Sequence, residues 1–178
     1  MNIVNLVMIM IMPMQLTLFD FSGTADISGW EIVDDVVMGG RSDGAFYLSN
    51  EGHGVFSGKV SLENNGGFSS VRYDLKDLDI DVYDTFILKV KGDGKRYQFR
   101  AKTRRYDRQS YISYFETTGE WQEIQIPMNK MYPTFRGMRL NMDNFPGERL
   151  EQISFLIGNK RAEAFRLEID KIIVFSNP

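Results

Sequence analysis

Hydrophobic and polar residues alternate with a period of two along most of this chain. The alternating runs are broken by Gly, Asp and Asn at intervals suited to a sandwich or barrel. Runs over residues 15–21, 30–33, 45–49, 53–63, 68–75, 85–91, 95–103, 110–116, 120–126, 152–158 and 164–175 predict strands. A looser stretch with Pro133, Pro146 and several Met lies ahead of the last two. Helical periodicity is scarce, and no repeat, low-complexity tract or linker divides the chain. The pattern predicts a single all-β domain over residues 15–178, preceded by an apolar segment over residues 1–14.

The same alternation sorts residues by face. In the run from Phe68 to Leu75, positions Ser69, Val71, Tyr73 and Leu75 form the more apolar set, with Phe68, Ser70, Arg72 and Asp74 opposite. In the next long polar run Tyr97, Phe99, Ala101 and Thr103 point inward, and Arg96, Gln98, Arg100, Lys102 and Arg104 outward. Seven Lys or Arg fall between Lys95 and Arg108, opposed only by Asp107. A row of one sign on a strand requires either carboxylates on the adjacent strands or a ligand. Because Tyr97 and Phe99 point away from Arg100 and Arg104, they form no stacking platform with them.

Composition narrows the chemistry. The 178 residues are 43% hydrophobic, 25% charged and 13% aromatic, with a net charge of −3 and a pI near 5.3. The aromatic content favours sheet, and the acidic balance argues against nucleic-acid binding through the overall field. With no cysteine there are no disulfides, thiolate nucleophiles or Cys-based metal sites. The single histidine, His53, removes multi-histidine zinc sites, and its place between Gly52 and Gly54 suits a surface role. The apolar run over residues 3–12 is too short to span a bilayer. It resembles the hydrophobic part of an export signal, but no Lys or Arg precedes it and no small-residue cleavage site follows. The expectation is a cytoplasmic protein without a membrane span, with export as the alternative. Two further readings of the segment are a packed leading element and a misassigned start ahead of Met14.

Candidate sites are few. The turns at 92–94 (Gly-Asp-Gly) and 64–67 (Asn-Asn-Gly-Gly) have hairpin chemistry, where Asn, Asp and Gly tolerate positive φ. Neither is a phosphate loop. The stretch 34–44, DDVVMGGRSDG, offers Asp34, Asp35 and Asp43 as hard-oxygen ligands for calcium, though without EF-hand spacing. Capping of backbone amides is the competing use of those acids, with Gly39 and Gly40 permitting a sharp turn and residues 36–38 partly buried. Carboxylate pairs for glycosidase chemistry are numerous, but spacing in sequence identifies no pair.

The blocks WEIVDDVVMGGRSDG, FSGKVSLENNGGFSSVR, KGDGKRYQFRAKT, YFETTGEWQEIQIPM and PTFRG follow one another in an order and spacing that resemble the complex I intermediate-associated protein 30 family. The resemblance runs from about Leu18 to Phe175 and implies a galactose-binding-domain-like jelly-roll β-sandwich. Mitochondrial members act as assembly factors that hold membrane-arm intermediates of NADH:ubiquinone oxidoreductase, and others are fused to a nucleotide-binding domain. This chain resembles the stand-alone bacterial type.

The expected function is therefore a non-enzymatic, assembly-factor-like protein that binds a protein partner. The alternative is a carbohydrate-binding module, for which Tyr106, Tyr111 and Trp121 are the available aromatics. A carboxylate-based glycosidase stands third. The candidate partner- or ligand-binding residues are Asp35, Arg41, Asn64, Asn65, Arg72, Arg100 and Arg136, with no catalytic residue, metal ligand or cofactor expected. Arg72, Arg100 and Arg136 are expected to lie together on one sheet face, where their guanidinium forks can grip carboxylates.

Overall fold

Alternation becomes two antiparallel sheets packed face to face. The computed structural model describes residues 13–35 and 39–176. The apolar run over residues 3–12 and the segment 36–38 lie outside the described residues. In chain order the strands are β1 (Met14–Asp20), β2 (Trp30–Ile32), β3 (Asp43–Leu48), β4 (Gly54–Val60), β5 (Ser69–Asp79), β6 (Thr85–Lys91) and β7 (Arg96–Lys102). They continue with β8 (Ser110–Glu116), β9 (Trp121–Pro127), β10 (Tyr132–Phe135), β11 (Met138–Arg139), β12 (Arg149–Ile157) and β13 (Glu163–Ser176). The first sheet runs β3-β4-β13-β6-β9, with β1 also paired to β13. The second runs β11-β10-β8-β7-β12-β5-β2. The architecture is an all-β, galactose-binding-like jelly roll.

Strand β13 is the spine of the first sheet. Its opening half, Glu163 to Ile169, pairs with β4, while Lys171 to Ser176 pair with β1 along the same edge and β6 lies along the other. Inward residues of both sheets interdigitate in one core. Tyr97 and Phe99 of β7, Ile153 and Phe155 of β12, Phe86 and Leu88 of β6 and Ile172 and Val174 of β13 have no exposed surface. Aromatic edges and faces fill this layer, with Phe99 5.0 Å from Phe86 and 5.5 Å from Phe155 between ring centroids. Truncating one of these rings to Ala costs about 3–5 kcal/mol, so the core fixes strand register firmly.

Two of the expected hairpins are crossings instead. The 92–94 turn joins β6 of the first sheet to β7 of the second, and the 64–67 turn joins β4 of the first to β5 of the second. The turn chemistry is as expected, with φ of 54° at Asn64, 60° at Asn65, 138° at Gly67 and 79° at Gly94. Such residues encode a reversal of direction, not the sheet on which the next strand lands. The looser stretch around Pro133 holds β10 and β11, joined by a tight Arg136–Gly137 turn with φ of 48° and 77°. Positive φ at both central residues is the hairpin geometry that matches strand twist.

Candidate binding groove

The outer face of the second sheet is built from strand register. One rung crosses six strands: Tyr132 on β10, Ile112 on β8, Arg100 on β7, Ser154 on β12, Arg72 on β5 and Glu31 on β2 are successive cross-strand partners. The neighbouring rung carries Tyr114, Gln98, Leu156 and Ser70. Together they form the floor of a groove of about 730 Å³ that continues, past Phe68, Arg100 and Leu156, into a smaller hollow of about 210 Å³ reaching Arg72. The larger volume is of the size that holds small ligands. Ile112 is only 4% exposed although it faces outward, because it lies at the bottom of this groove.

Arg100 sits where the two hollows meet, and its rung neighbours Ile112 and Ser154 bring no charge. Its Nε is buried and finds no acceptor among the described residues. Burial lowers the affinity of its guanidinium for its proton, and only Tyr114 opposes that effect. Arg72, two strands away, is different: its Nε and Nη2 both donate to Glu31 Oε2, at 3.1 and 2.8 Å. Lys102, beside Arg100 on β7, is also lowered, first by burial and then by the charge of Arg100, and its Nζ donates to the carbonyls of Arg105 and Asp107 at 3.3 and 2.7 Å. Along β7, Lys102 is thus hydrogen-bonded while Arg100 has no acceptor among the described residues. Among the described residues no Asp or Glu lines either hollow.

Aromatic platforms come from strands other than β7. The guanidinium of Arg96 lies 4.5 Å from the Tyr114 ring centre and that of Arg139 lies 4.7 Å from Tyr132. Phe135 carries Arg108 at 4.7 Å and Arg136 at 5.3 Å. Arg136 and Arg139 line one end of the groove from the β10–β11 hairpin. Of the three arginines expected together, Arg100 and Arg136 share the larger hollow, and Arg72 and Arg100 share the smaller.

The loop ahead of β5, at Gly67 and Phe68, forms one wall of this groove, and the loop ahead of β3 braces it. Asp35 is wholly buried, and its carboxylate accepts the Ser42 amide at 3.0 Å, the Ser42 hydroxyl at 2.6 Å, and the amides of Gly67 and Phe68 at 2.6 and 3.2 Å. Asp34 accepts the Gly44 amide at 2.8 Å and the Ser69 hydroxyl at 2.5 Å. These carboxylates are seated anions whose lone pairs are taken by N–H and O–H donors, and no cluster of three metal-ligating side chains exists among the described residues. Gly40 and Gly66 leave room for the Asp35 carboxylate, since a Cβ at either would overlap it. Asp35 therefore reaches no surface; it holds the Gly67–Phe68 wall in place. Arg41 is exposed and pairs with exposed Glu63 at 2.9 Å, a contact of little energetic weight. Asn64 and Asn65 are exposed and supply the left-handed turn before that wall.

The aromatics proposed for a sugar site are scattered. Tyr111 faces the core, 7% exposed and 5.2 Å from Phe145. Trp121 lies on β9 of the other sheet, against His53 at 4.6 Å. Tyr106 is 82% exposed in the β7–β8 loop, beside Arg105. Tyr114 and Tyr132 are the groove tyrosines. A signal for Tyr114 existed, because strand parity places it outward with Ile112. His53 Nδ1 is 3.2 Å from Asp170, which also pairs with Lys89 at 2.9 Å, on the face opposite the groove.

The family model for complex I intermediate-associated protein 30 matches residues 19–169. The chain belongs to this family. Curated relatives are the mitochondrial complex I intermediate-associated protein 30 of Drosophila melanogaster, 25% identical over 86% of this chain and 60% of its own length, and that of Mus musculus, 24% identical over 94% and 58%. The chain thus spans about 60% of those relatives. Among solved structures, a family 11 carbohydrate-binding module of a Clostridium thermocellum cellulosomal cellulase superposes with a TM-score of 0.68 at 16% identity, covering 92% of this chain and 95% of that one. The same family in complex with a β-1,3-1,4-mixed-linked tetrasaccharide gives 0.64 at 16% identity, covering 91% and 95%. These likenesses establish the shared fold. No helix among the described residues is long and apolar enough to cross a membrane.

Proposed function

We propose that this protein is a non-enzymatic, assembly-factor-like binding protein that holds a segment of a protein partner in the groove of the second sheet. Membership of a family whose curated relatives are named for complex I intermediates supports a subunit of that respiratory complex as the partner. The observation that carries the reading is Arg100, a half-buried cation at the centre of a groove, with no internal acid to pair with. The lining holds no Asp, Glu or His, and so offers no general acid or base of the usual kind. That argues for holding over turnover, and against a carboxylate-based glycosidase at this place. Affinity capture with the wild-type chain and with an Arg72→Ala/Arg100→Ala double variant tests the reading. Respiratory-complex subunits recovered by the wild type and lost from the folded variant support it; identical recovery removes the groove as the place where the partner is held.

A carbohydrate is the second reading, favoured by Tyr114 and Tyr132 along a groove in a fold shared with carbohydrate-binding modules. A glycan array separates the two readings: saturable binding of a neutral glucan that Tyr132→Ala abolishes favours sugar.

A further inference from the structure

Resting on the reading of the groove as a partner-binding site, we propose that its occupant is an extended polypeptide segment with acidic side chains, one of whose carboxylates seats on the Arg100 guanidinium. A half-buried guanidinium whose Nε is cut off from solvent is stabilised by a group that compensates its lost hydration. Here the described residues supply no partner: the cross-strand neighbours are Ile112 and Ser154, Nε has no acceptor among them, and Glu31 is already taken by Arg72. The missing acceptor therefore belongs to the ligand. A carboxylate matches the planar fork of a guanidinium in shape as well as charge.

The rest of the lining selects a peptide over an acidic sugar. Sugar hydroxyls need acceptors as much as donors, but the groove is rich in donors and holds no carboxylate. The Gln98 amide nitrogen donates to the Tyr114 hydroxyl at 3.0 Å, and the Thr134 hydroxyl donates to the Ser110 carbonyl at 3.3 Å. Between the polar groups lie the apolar surfaces of Phe68, Ile112 and Leu156, suited to the non-acidic side chains of an extended strand.

Spacing can be derived too. Arg139 pairs with Thr134, three strands from Arg100, which is about 14 Å at about 4.8 Å per strand. An extended peptide crossing the strands advances about 3.4 Å per residue, so acids four residues apart reach both arginines. Glu116, which pairs across from Arg96, does not line the groove.

Calorimetric titration of the full chain with the capped peptide Gly-Glu-Leu-Val-Leu-Glu-Gly tests this, beside its Gln-for-Glu counterpart, trigalacturonate and a mixed-linked glucan tetrasaccharide. The expected result is saturable binding of the acidic peptide, about tenfold weaker for the Gln peptide and for Arg100→Gln, and weakened by salt. Arg100→Lys, which keeps the charge and loses the fork, falls between. Arg136→Asn preserves the left-handed turn and serves as a second charge-removing variant, expected to weaken binding less. Melting curves establish that each variant is folded. Equal affinity for the two peptides, unchanged binding by Arg100→Gln, Arg100-dependent binding of trigalacturonate alone, or no saturation by about 1 mM peptide overturns the proposal. Partner capture that persists in Arg100→Gln overturns the carboxylate seat while leaving partner binding intact; glucan binding with no partner captured removes partner binding itself.

Discussion

The Asp35 carboxylate accepts the amide of Gly67 at 2.6 Å and so ties together two loops 32 residues apart. Its remaining bonds to Ser42 and Phe68 make it the organising charge of one groove wall. Replacing it with Asn puts an amide N–H₂ among donors, and replacing it with Ala leaves those donors unpaired in a buried site. Either change is expected to cost about 2–3 kcal/mol. For a chain of this size that lowers the melting temperature by about 5–10 °C, measurable by circular dichroism.

Acid sensitivity follows from the same residue. Burial alone would raise the Asp35 carboxyl, but the donors from Ser42, Gly67 and Phe68 outweigh burial and hold it below the ordinary value of 3.8. A depressed folded value means that its contribution is fully present above the unfolded value and is lost as pH falls through the folded one. The stability gap between wild type and Asp35→Ala should therefore be constant at neutral pH and narrow below pH about 3.9. Denaturant titrations at stepped pH measure it, and a gap that widens in acid contradicts the assignment.

Gly40 is expected to matter only because of its neighbour. Its added Cβ would overlap the Asp35 carboxylate, so Gly40→Ala should destabilise by about 1–3 kcal/mol. In an Asp35→Ala background the same change should cost much less, which a double-mutant cycle reads directly.

Tyr97 predicts behaviour at the alkaline end. Its ring is wholly buried in the core, and its hydroxyl donates to Asp93 Oδ1 at 2.9 Å. Burial first, and then the charge of Asp93, push its ionisation well above the usual tyrosine range. The unfolded chain loses this proton near pH 10 while the folded one keeps it, so stability falls as pH rises above about 10, by up to about 1.4 kcal/mol per pH unit. Tyr97→Phe should cost about 1 kcal/mol at neutral pH and flatten that alkaline loss.

The location of the site is tested by opposite faces. Trp121→Ala alters the first sheet, beside His53, and should leave groove binding unchanged. Tyr132→Ala removes the ring beneath Arg139 and should weaken binding by about 1 kcal/mol. Peptide titrations on the two folded variants give the comparison.

Much of the fold was legible because local alternation determines which side chains a strand buries. β6 and β8 coincide with their predicted spans, 85–91 and 110–116, and the outward parity of Arg100 was readable from Tyr97, Phe99 and Ala101. β10 was obscured by Pro133, which lacks the N–H of an ordinary strand residue, and by the short reach of its pairing with β11. The isolation of Arg100 had no local trace. Whether a carboxylate faces it depends on which residues four other strands bring alongside, and only the sheet order decides that.

The rung from Glu31 to Tyr132 draws one residue from each of six strands, with sequence positions from 31 to 154. No hairpin or fragment of the chain presents it, and pairings so far apart in sequence close slowly. A slip of one residue in β7 would exchange Arg100 for Phe99 on the outer face and erase the seat. The proposed capture of a ligand therefore requires that the whole second sheet has found its register. On the proposed reading, a nascent or misfolded copy would pass its partner by, and the groove would act as a built-in certificate of completed folding.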